Sequence, residues 1–409
     1  MKKLFSVLLI IFFTQLLHAQ WVQIPSGTFE NLNSIQFPDA NTGYAVGNAG
    51  VVLKTTNGGQ NWLTLSTGST RKNLGLYFIN QSTGFVCGLD NTVLKTTNGG
   101  TNWNILRQIN GGLTISSIYF LNESTGYITT NEGYYSLEVT TNGGSTWNTF
   151  GAFLHPNSLK FLNATFSFLT DYGNSEDDIM VNTGSGYNRY KIYPSSNSGY
   201  HLNTVDFLTT TMGYCAGDSG KIFKTNNGGV NWSFQNSNTA NSFKSIRATD
   251  LNTAIVVGNS GTIKATSNGG ATWYSQNSTT ANNLNSLSMI NATTGFIVGD
   301  VGTILKTTTG GVGITRLESN VPDNYSLSQN YPNPFNPSTK IRFDLPKNSF
   351  TKLTIYDISG KAIDELVNSE LLSGAYEITW DGTNYSSGVY FYRMETNGFV
   401  DMKRMVFVK

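Results

Sequence analysis

The chain of 409 residues is too long for one small domain and about right for two or three. Charged residues make up only 12% and the net charge is +1, which excludes the clustered basic face that nucleic-acid binding requires. Gly, Asn, Ser, Thr and aromatic residues dominate instead. Gly and Asn accept the positive φ of turns, while Thr, Tyr and Phe suit half-buried strands. The composition therefore predicts an all-β protein of many short strands.

Residues 1–19 read as a signal peptide. Lys2 and Lys3 precede an apolar run from Leu4 to Leu17, and Ala19 offers a small residue for cleavage. The run is too short and wrongly flanked for a retained span, and no Cys stands near the cut for a lipid anchor. Export permits disulfides. Cys87 and Cys215, however, lie one residue out of register in the similar strands GFVCG and GYCAG, three repeats apart. Two free thiols are expected.

From residue 20 to 314 the chain repeats. KTTNGGQNW ends at Trp62, KTTNGGTNW at Trp103, VTTNGGSTW at Trp147, KTNNGGVNW at Trp232, ATSNGGATW at Trp273, and a worn KTTTGGVGI at Ile314. The spacings are 41, 44, 85, 41 and 41 residues, and the double gap holds a degenerate copy at Met180 to Tyr190. Counting back 41 from Trp62 reaches Trp21. A second phrase, such as LNSIQFPDANTGYAVGNAG from Leu32, sits midway in each unit. Each unit thus holds four short antiparallel strands, which is one propeller blade, and seven blades are expected. Asn-Gly-Gly supplies the positive-φ turn of a tight hairpin, and Thr55 and Asn57 can bond that turn's own backbone. The Trp residues begin the outer strands and pack between blades. Trp21 predicts an N-terminal strand that completes the seventh blade and so removes an exposed edge.

The Thr-x-Asn-x-Gly-x-Asn/Thr-Trp phrase resembles the Asp-box of BNR repeats, with Asn in place of Asp. The midway phrase, for example FPDANTGYAVG, resembles the propellers of the photosystem II assembly and stability factor type. The resemblance implies a seven-bladed β-propeller. It implies no single function, because assembly factors, glycosidases and other exported proteins share the fold.

Residues 315–323 read as a linker, and residues 324–409 as a small immunoglobulin-like β-sandwich. Five of the nine prolines fall between Pro322 and Pro346, giving an extended entry. Strands are expected at Lys352 to Asp357, Ala375 to Trp380, Gly388 to Glu395 and Lys403 to Val408. Tyr331-Pro332-Asn333-Pro334-Phe335-Asn336-Pro337, Trp380-Asp381-Gly382, Gly388-Val389-Tyr390 and the end at Lys409 closely resemble the type A sorting domain of the type IX (Por) secretion system. The resemblance implies passage through the outer membrane, with the secretion machinery and a sortase-like peptidase as partners, and an extracellular or surface location.

No catalytic, cofactor or metal site is expected. His18, His155 and His201 lack metal-ligand spacing. Sialidases and some xyloglucanases use this architecture, but Arg71, Arg107, Arg189 and Arg247 do not follow the sialidase pattern. Asp90, Asp218 and Asp300 occupy turns where other blades hold Asn48 and Asn259, so turn chemistry explains them better than a paired-carboxylate site. The degenerate fourth unit gathers Asp171, Glu176, Asp177 and Asp178 with Tyr172, Tyr187, Tyr190, Tyr193 and Tyr200. Repeat decay in a tolerant loop accounts for it more simply than a binding surface.

The expected function is a monomeric, secreted or surface-bound propeller that binds a protein or glycan, with a secreted glycan-degrading enzyme as the alternative. The expected contact face is the end carrying the loops between second and third strands and between blades. Its candidates are Arg71, Lys72, Asp90, Arg107, Tyr187, Tyr190, Asp218 and Asp300.

Overall fold

The computed structural model describes residues 21–111, 114–130, 136–152, 156–172, 177–184, 186–192, 201–266, 268–308, 310, 315–318, 321–371, 373–382 and 385–409. The leader read from residues 1–19 lies outside them.

Seven four-stranded antiparallel sheets follow one another along the repeat. Blade I comprises Leu32–Gln36, Gly43–Gly47, Val52–Thr55 and Leu63–Leu65, from the innermost strand outward. The inner strands of blades II to VII are Asn73–Phe78, Ile115–Phe120, Pro156–Phe161, Leu202–Phe207, Phe243–Ala248 and Leu284–Met289. Each inner strand neighbours the next, and that of blade VII returns to blade I, so the seven form a closed ring around an axis.

The second strands explain the composition. GYAVG, GFVCG, GYCAG, AIVVG and GFIVG are buried along their whole length. Both faces of such a strand are covered by the flanking blades, so it reads as a continuous run of small and apolar residues rather than an alternating one. Between blades an aromatic from the second strand stacks on the inner-strand Phe of the next. Tyr44 meets Phe78, Phe85 meets Phe120 and Phe168 meets Phe207, with ring centres 3.6, 3.6 and 3.4 Å apart. The repeat Trp of that next blade then packs edge-on, as Trp103 does on Phe78 and Trp147 on Phe120. Edge-to-face pairs suit the aromatic quadrupole. Burial pushes the Tyr44 phenol up to about 12.

The closing strand expected at Trp21 is present. Val22–Gln23 pairs antiparallel with Ile304–Thr307, and blade VII is built from Leu284–Met289, Gly295–Gly299, Ile304–Thr307 and this N-terminal strand. Trp21 is fully buried against blades VI and VII, and its indole N–H donates to Gln276 Oε1 at 2.5 Å. Cys87 and Cys215 are buried and form no disulfide with each other, as their register required.

The C-terminal unit is a sandwich of two antiparallel sheets. One sheet runs in the order Thr315–Glu318, Gly374–Asp381, Ser338–Leu345, Ser326–Leu327. The other runs Ala362–Leu371, Ser349–Tyr356, Gly388–Thr396, Phe399–Phe407. Two expectations need correction. Residues 315–318, read as linker, form an edge strand of the sandwich, paired with Gly374–Asp381. The segment after the prolines also contains a long strand, Ser338–Leu345, in which Thr339, Ile341, Phe343 and Leu345 are buried in strict alternation. Pro322, Pro332, Pro334 and Pro337 precede this strand and Pro346 follows it, so their restriction on sheet hydrogen bonding never reaches it.

Candidate functional site

The two ends of the propeller differ in chemistry. Backbone bonds from Gly58 N–H to Asn41 O, and from Gly99, Gly143, Gly228 and Gly269 to their counterparts, tie each NGG turn to the loop joining the first and second strands. That is the NGG end. Asn48 N–H donates to Asn31 O, Leu89 N–H to Lys72 O, and Asp300 N–H to Asn283 O. These bonds join each turn between second and third strands to the loop entering its blade, and they define the opposite end.

The NGG end is the same in every good repeat. Thr55 Oγ1 accepts from Gly59 N–H at 3.0 Å and donates to Asn57 Oδ1, which accepts from Asn61 N–H. Thr96, Thr140, Thr225 and Thr266 repeat this arrangement. The backbone N–H groups of Gly59 and Asn61 are thus satisfied by side chains of the turn itself. Gly59 has φ +74°, and a Cβ there would run into the Phe296 ring, so the close packing of turn on blade admits only Gly. The repeat lysines reach across to the next blade. Lys54, Lys224 and Lys306 each donate to the carbonyl of a neighbouring turn glycine, Gly99, Gly269 and Gly58, at 2.8 Å. Their ammonium groups lie 5.3 to 5.5 Å from aromatic ring centres of their own blades.

At the opposite end the residues picked from sequence divide into local groups. Arg71 forms an ion pair with Asp90, and its guanidinium also donates to Asn110 Oδ1. Asp90 accepts in turn from Gly111 N–H at 3.2 Å. Lys72 contributes its carbonyl to Leu89. Arg107 pairs with Glu138 of the next blade in a mostly buried ion pair. Asp218 accepts from Asn203 Nδ2 at 3.0 Å and Asp300 from Asn285 Nδ2 at 3.0 Å. Asn203 and Asn285 also donate to the carbonyls of Phe243 and Leu32 in the next blades. Asn33, held by Asn48, bonds Asn73 O in the same way. Asp218 and Asp300 therefore support a latch between blades, and these two carboxylates and Asp90 each serve a separate turn.

Tyr187 and Tyr190 do not join this end. Tyr187 is largely buried, its hydroxyl lies 2.7 Å from Ser167 Oγ, and burial pushes its phenol well up. Tyr190 packs against the core between blades IV and V. Asp178 is buried and faces Arg189 at 3.3 Å. Glu176, Tyr193 and Tyr200 lie outside the described residues, and only the backbone of Asp171, Tyr172 and Asp177 is described. Among the described residues no cluster of three His, Cys, Asp or Glu side chains could hold a metal.

Sequence reasoning missed the apolar residues of this end. Phe29 is 88% exposed in the loop after the closing strand, and Val301 is 54% exposed in the turn of blade VII. Gly302 N–H donates to Glu30 O and Val301 N–H to Asn31 Oδ1, which places that loop and turn side by side. Leu89 and Ile109 are exposed on blade II and the loop that follows it. Val301 has φ +54°, a left-handed conformation that is costly for a β-branched residue. The corresponding positions Ala49, Ser219 and Ser260 share that φ but carry small side chains. Aligning the turns GNAG, GDSG, GNSG and GDVG would have singled out Val301.

The sorting segment has its own geometry. Phe335 is buried against Trp380 and Phe407, and its backbone bonds both Val406 O and Val408 N–H. Asn333 Oδ1 accepts from Val406 N–H at 2.9 Å. The proline-rich motif thus clamps the last strand to the sandwich. Tyr390 is buried with its hydroxyl on Ser386 O, while Tyr331 stands exposed. Lys409 N–H donates to Ser387 Oγ.

Residues 13–152 match the family described as photosynthesis system II assembly factor YCF48, and residues 329–409 match the secretion system C-terminal sorting domain. The chain is thus similar to the YCF48 family in its propeller and to the Por-type sorting domain in its tail. Three solved structures share the fold. YCF48 bound to D1 peptide is 18% identical at a TM-score of 0.61, over 72% of this chain and 96% of that one. YCF48 from Cyanidioschyzon merolae is 17% identical at 0.59, over 70% and 98%. PorZ, described as an essential bacterial surface component of the type-IX secretion system of Porphyromonas gingivalis, is 16% identical at 0.56, over 92% of this chain and 59% of that one. A search of curated proteins found no match. The sorting tail marks this YCF48-like chain for export by type IX secretion, to the cell surface or beyond. Among the described residues no helix is long and apolar enough to cross a membrane.

Proposed function

We propose that the propeller is the exported cargo and that it holds a protein partner on the end opposite the NGG turns. Phe29 and Val301 carry this reading. They are adjacent and exposed, and one of them is kept in a strained conformation that folding does not need. Strain retained at an exposed apolar residue points to a contact rather than to packing. Leu89 and Ile109 add exposed apolar residues to the same end, and the Arg71–Asp90 pair stands beside them, as polar groups do at interface rims. One structure of this fold is described as bound to a peptide, which agrees with a polypeptide ligand. The descriptions of the similar structures name no reaction. Glycan hydrolysis would need two convergent carboxylates, whereas Asp90, Asp218 and Asp300 serve separate turns.

The test compares capture from an outer-membrane fraction by the wild-type chain, Phe29→Asp and Leu251→Asp, alongside a glycan array. Leu251 is exposed at the NGG end. A protein retained by wild type and Leu251→Asp but lost in Phe29→Asp is the expected result. Equal capture by all three, or binding on the array alone, would overturn the assignment.

The leader and tail are proposed to act in sequence, the leader at residues 1–19 and the tail by removal through a sortase-like peptidase. A chain ending at residue 314 should fold as a propeller and stay in the periplasm. Its appearance in the medium without lysis would contradict the role given to the tail.

A further inference from the structure

A set of donors around the propeller axis carries an inference independent of the protein-binding end. The N–H groups of Ile79, Leu121, Leu162, Leu208, Thr249 and Ile290 bond back to the second strands. Ladder bonds use alternate residues, so the N–H groups of Phe78, Phe120, Phe161, Phe207, Ala248 and Met289 point the other way, off the inner edge and toward the axis. Such groups need an acceptor.

Two blades supply one from the preceding inner strand. Gln36 Oε1 accepts from Phe78 N–H at 2.7 Å, and Asp206 Oδ2 accepts from Ala248 N–H at 2.9 Å. The residues equivalent to Gln36 and Asp206 in blades IV and VI are Lys160 and Arg247. Neither can accept a hydrogen bond. The residues at these positions therefore offer no acceptor to the N–H groups of Phe207 and Met289. Asp206 cannot relieve both sides, because its carboxylate is shared between Lys160 Nζ at 2.7 Å and Ala248 N–H. Arg247 is half-buried, and among the described residues its guanidinium bonds only Ile246 O, at 2.9 Å, leaving most of its five donors unused.

Lys160, Phe207 N–H, Arg247 and Met289 N–H lie on three consecutive inner strands and the one that follows them, all at the level nearest the NGG end. We propose that this arc is a binding site for an oxyanion, a carboxylate or a phosphate, that enters the channel from the NGG end. Backbone N–H groups beside a guanidinium form a fixed, charge-assisted cradle for such a group. The site is separate from the apolar end, so loss of one leaves the other intact.

Full-length protein titrated with inorganic phosphate and, separately, with succinate tests the proposal by calorimetry. At least one should saturate below about 10 mM, since two charge-assisted contacts support affinities in the millimolar range or tighter. Phosphate alone would identify a phosphoryl ligand and succinate alone a carboxylate. Arg247→Gln should weaken binding at least about tenfold, while Lys244→Gln, on the same strand but exposed at the far end, should not. Amide resonances of Phe207 and Met289 should shift on titration, a readout that needs no variant. No saturable binding by either anion, an unchanged affinity in Arg247→Gln with a wild-type melting curve, or shifts elsewhere but not at those two amides would overturn it.

Discussion

The two ends of the propeller are built from the same blades and differ in what remains after folding. At the NGG end, Thr, Asn and Gly recur because each side chain closes its own turn, and the repeat lysines finish the neighbouring carbonyl. At the other end the hydrogen bonding is equally complete around Asp218 and Asp300, yet Phe29, Val301, Leu89 and Ile109 are left exposed. Uniform residues mark scaffold, and departures from uniformity that folding does not explain mark a surface in use. Exposure alone would not separate the ends, since Val230 and Leu251 are also exposed on the NGG side. The strained backbone of Val301 does.

The largest expected effect tests what both ends share. Trp21 lies buried at the ring closure, so Trp21→Ala should cost about 3–5 kcal/mol and broaden the thermal transition of the whole propeller. A melting curve like that of the wild type would mean that the ring does not depend on its N-terminal strand. Next comes Thr225→Ala at the NGG end. It removes the hydroxyl that accepts from Gly229 N–H and should cost about 1–3 kcal/mol in chemical denaturation. Partner capture should not change. Weakened capture in a folded Thr225→Ala protein would break the division between scaffold and contact surface.

Val301→Asn should do the reverse. Asn tolerates the left-handed region, so stability should rise by about 1 kcal/mol, while capture of the partner falls. A gain in stability with undiminished capture would reduce Val301 to simple strain. The smallest effect concerns Asp39, in the loop beside the first NGG turn. Desolvation raises its carboxyl, but the N–H groups of Thr42 and Asn41 and neighbouring side chains together bring it below its ordinary value of 3.8. A depressed value means that its contribution is present above that ordinary value and lost as pH falls through the lower folded one. Blades II, III and VII hold Asn80, Asn122 and Asn291 in the same role. Asp39→Asn should therefore leave neutral-pH stability unchanged and flatten the acid limb of the melting profile slightly. An unchanged acid limb would show that Asp39 contributes nothing to it.

The scaffold was legible in the sequence because its residues satisfy local rules repeated several times. Asn-Gly-Gly states its turn, Trp states its place between blades, and the 41-residue count reaches Trp21. The candidate face was less legible. Arg71, Asp90, Arg107, Asp218 and Asp300 stood out by charge, but charge at a turn is also what an Asn latch or an interblade ion pair requires. Tyr187 and Tyr190 belong to an outer strand whose rings turn inward, a direction that the degenerate repeat did not disclose. Residues 315–318 read as linker because four polar and mixed residues give no alternation of their own. Their partner, Gly374–Asp381, lies some sixty residues away.

The account stands most directly on where the partner touches. A photo-crosslinking residue placed at position 29, and in a second protein at position 251, can be activated on intact cells after export. Wild-type-like export of both, with a discrete crosslinked species from position 29 that disappears when Val301→Asn is added and none from position 251, is the predicted result. A crosslink from position 251 with none from position 29 would place the contact on the NGG end and contradict it.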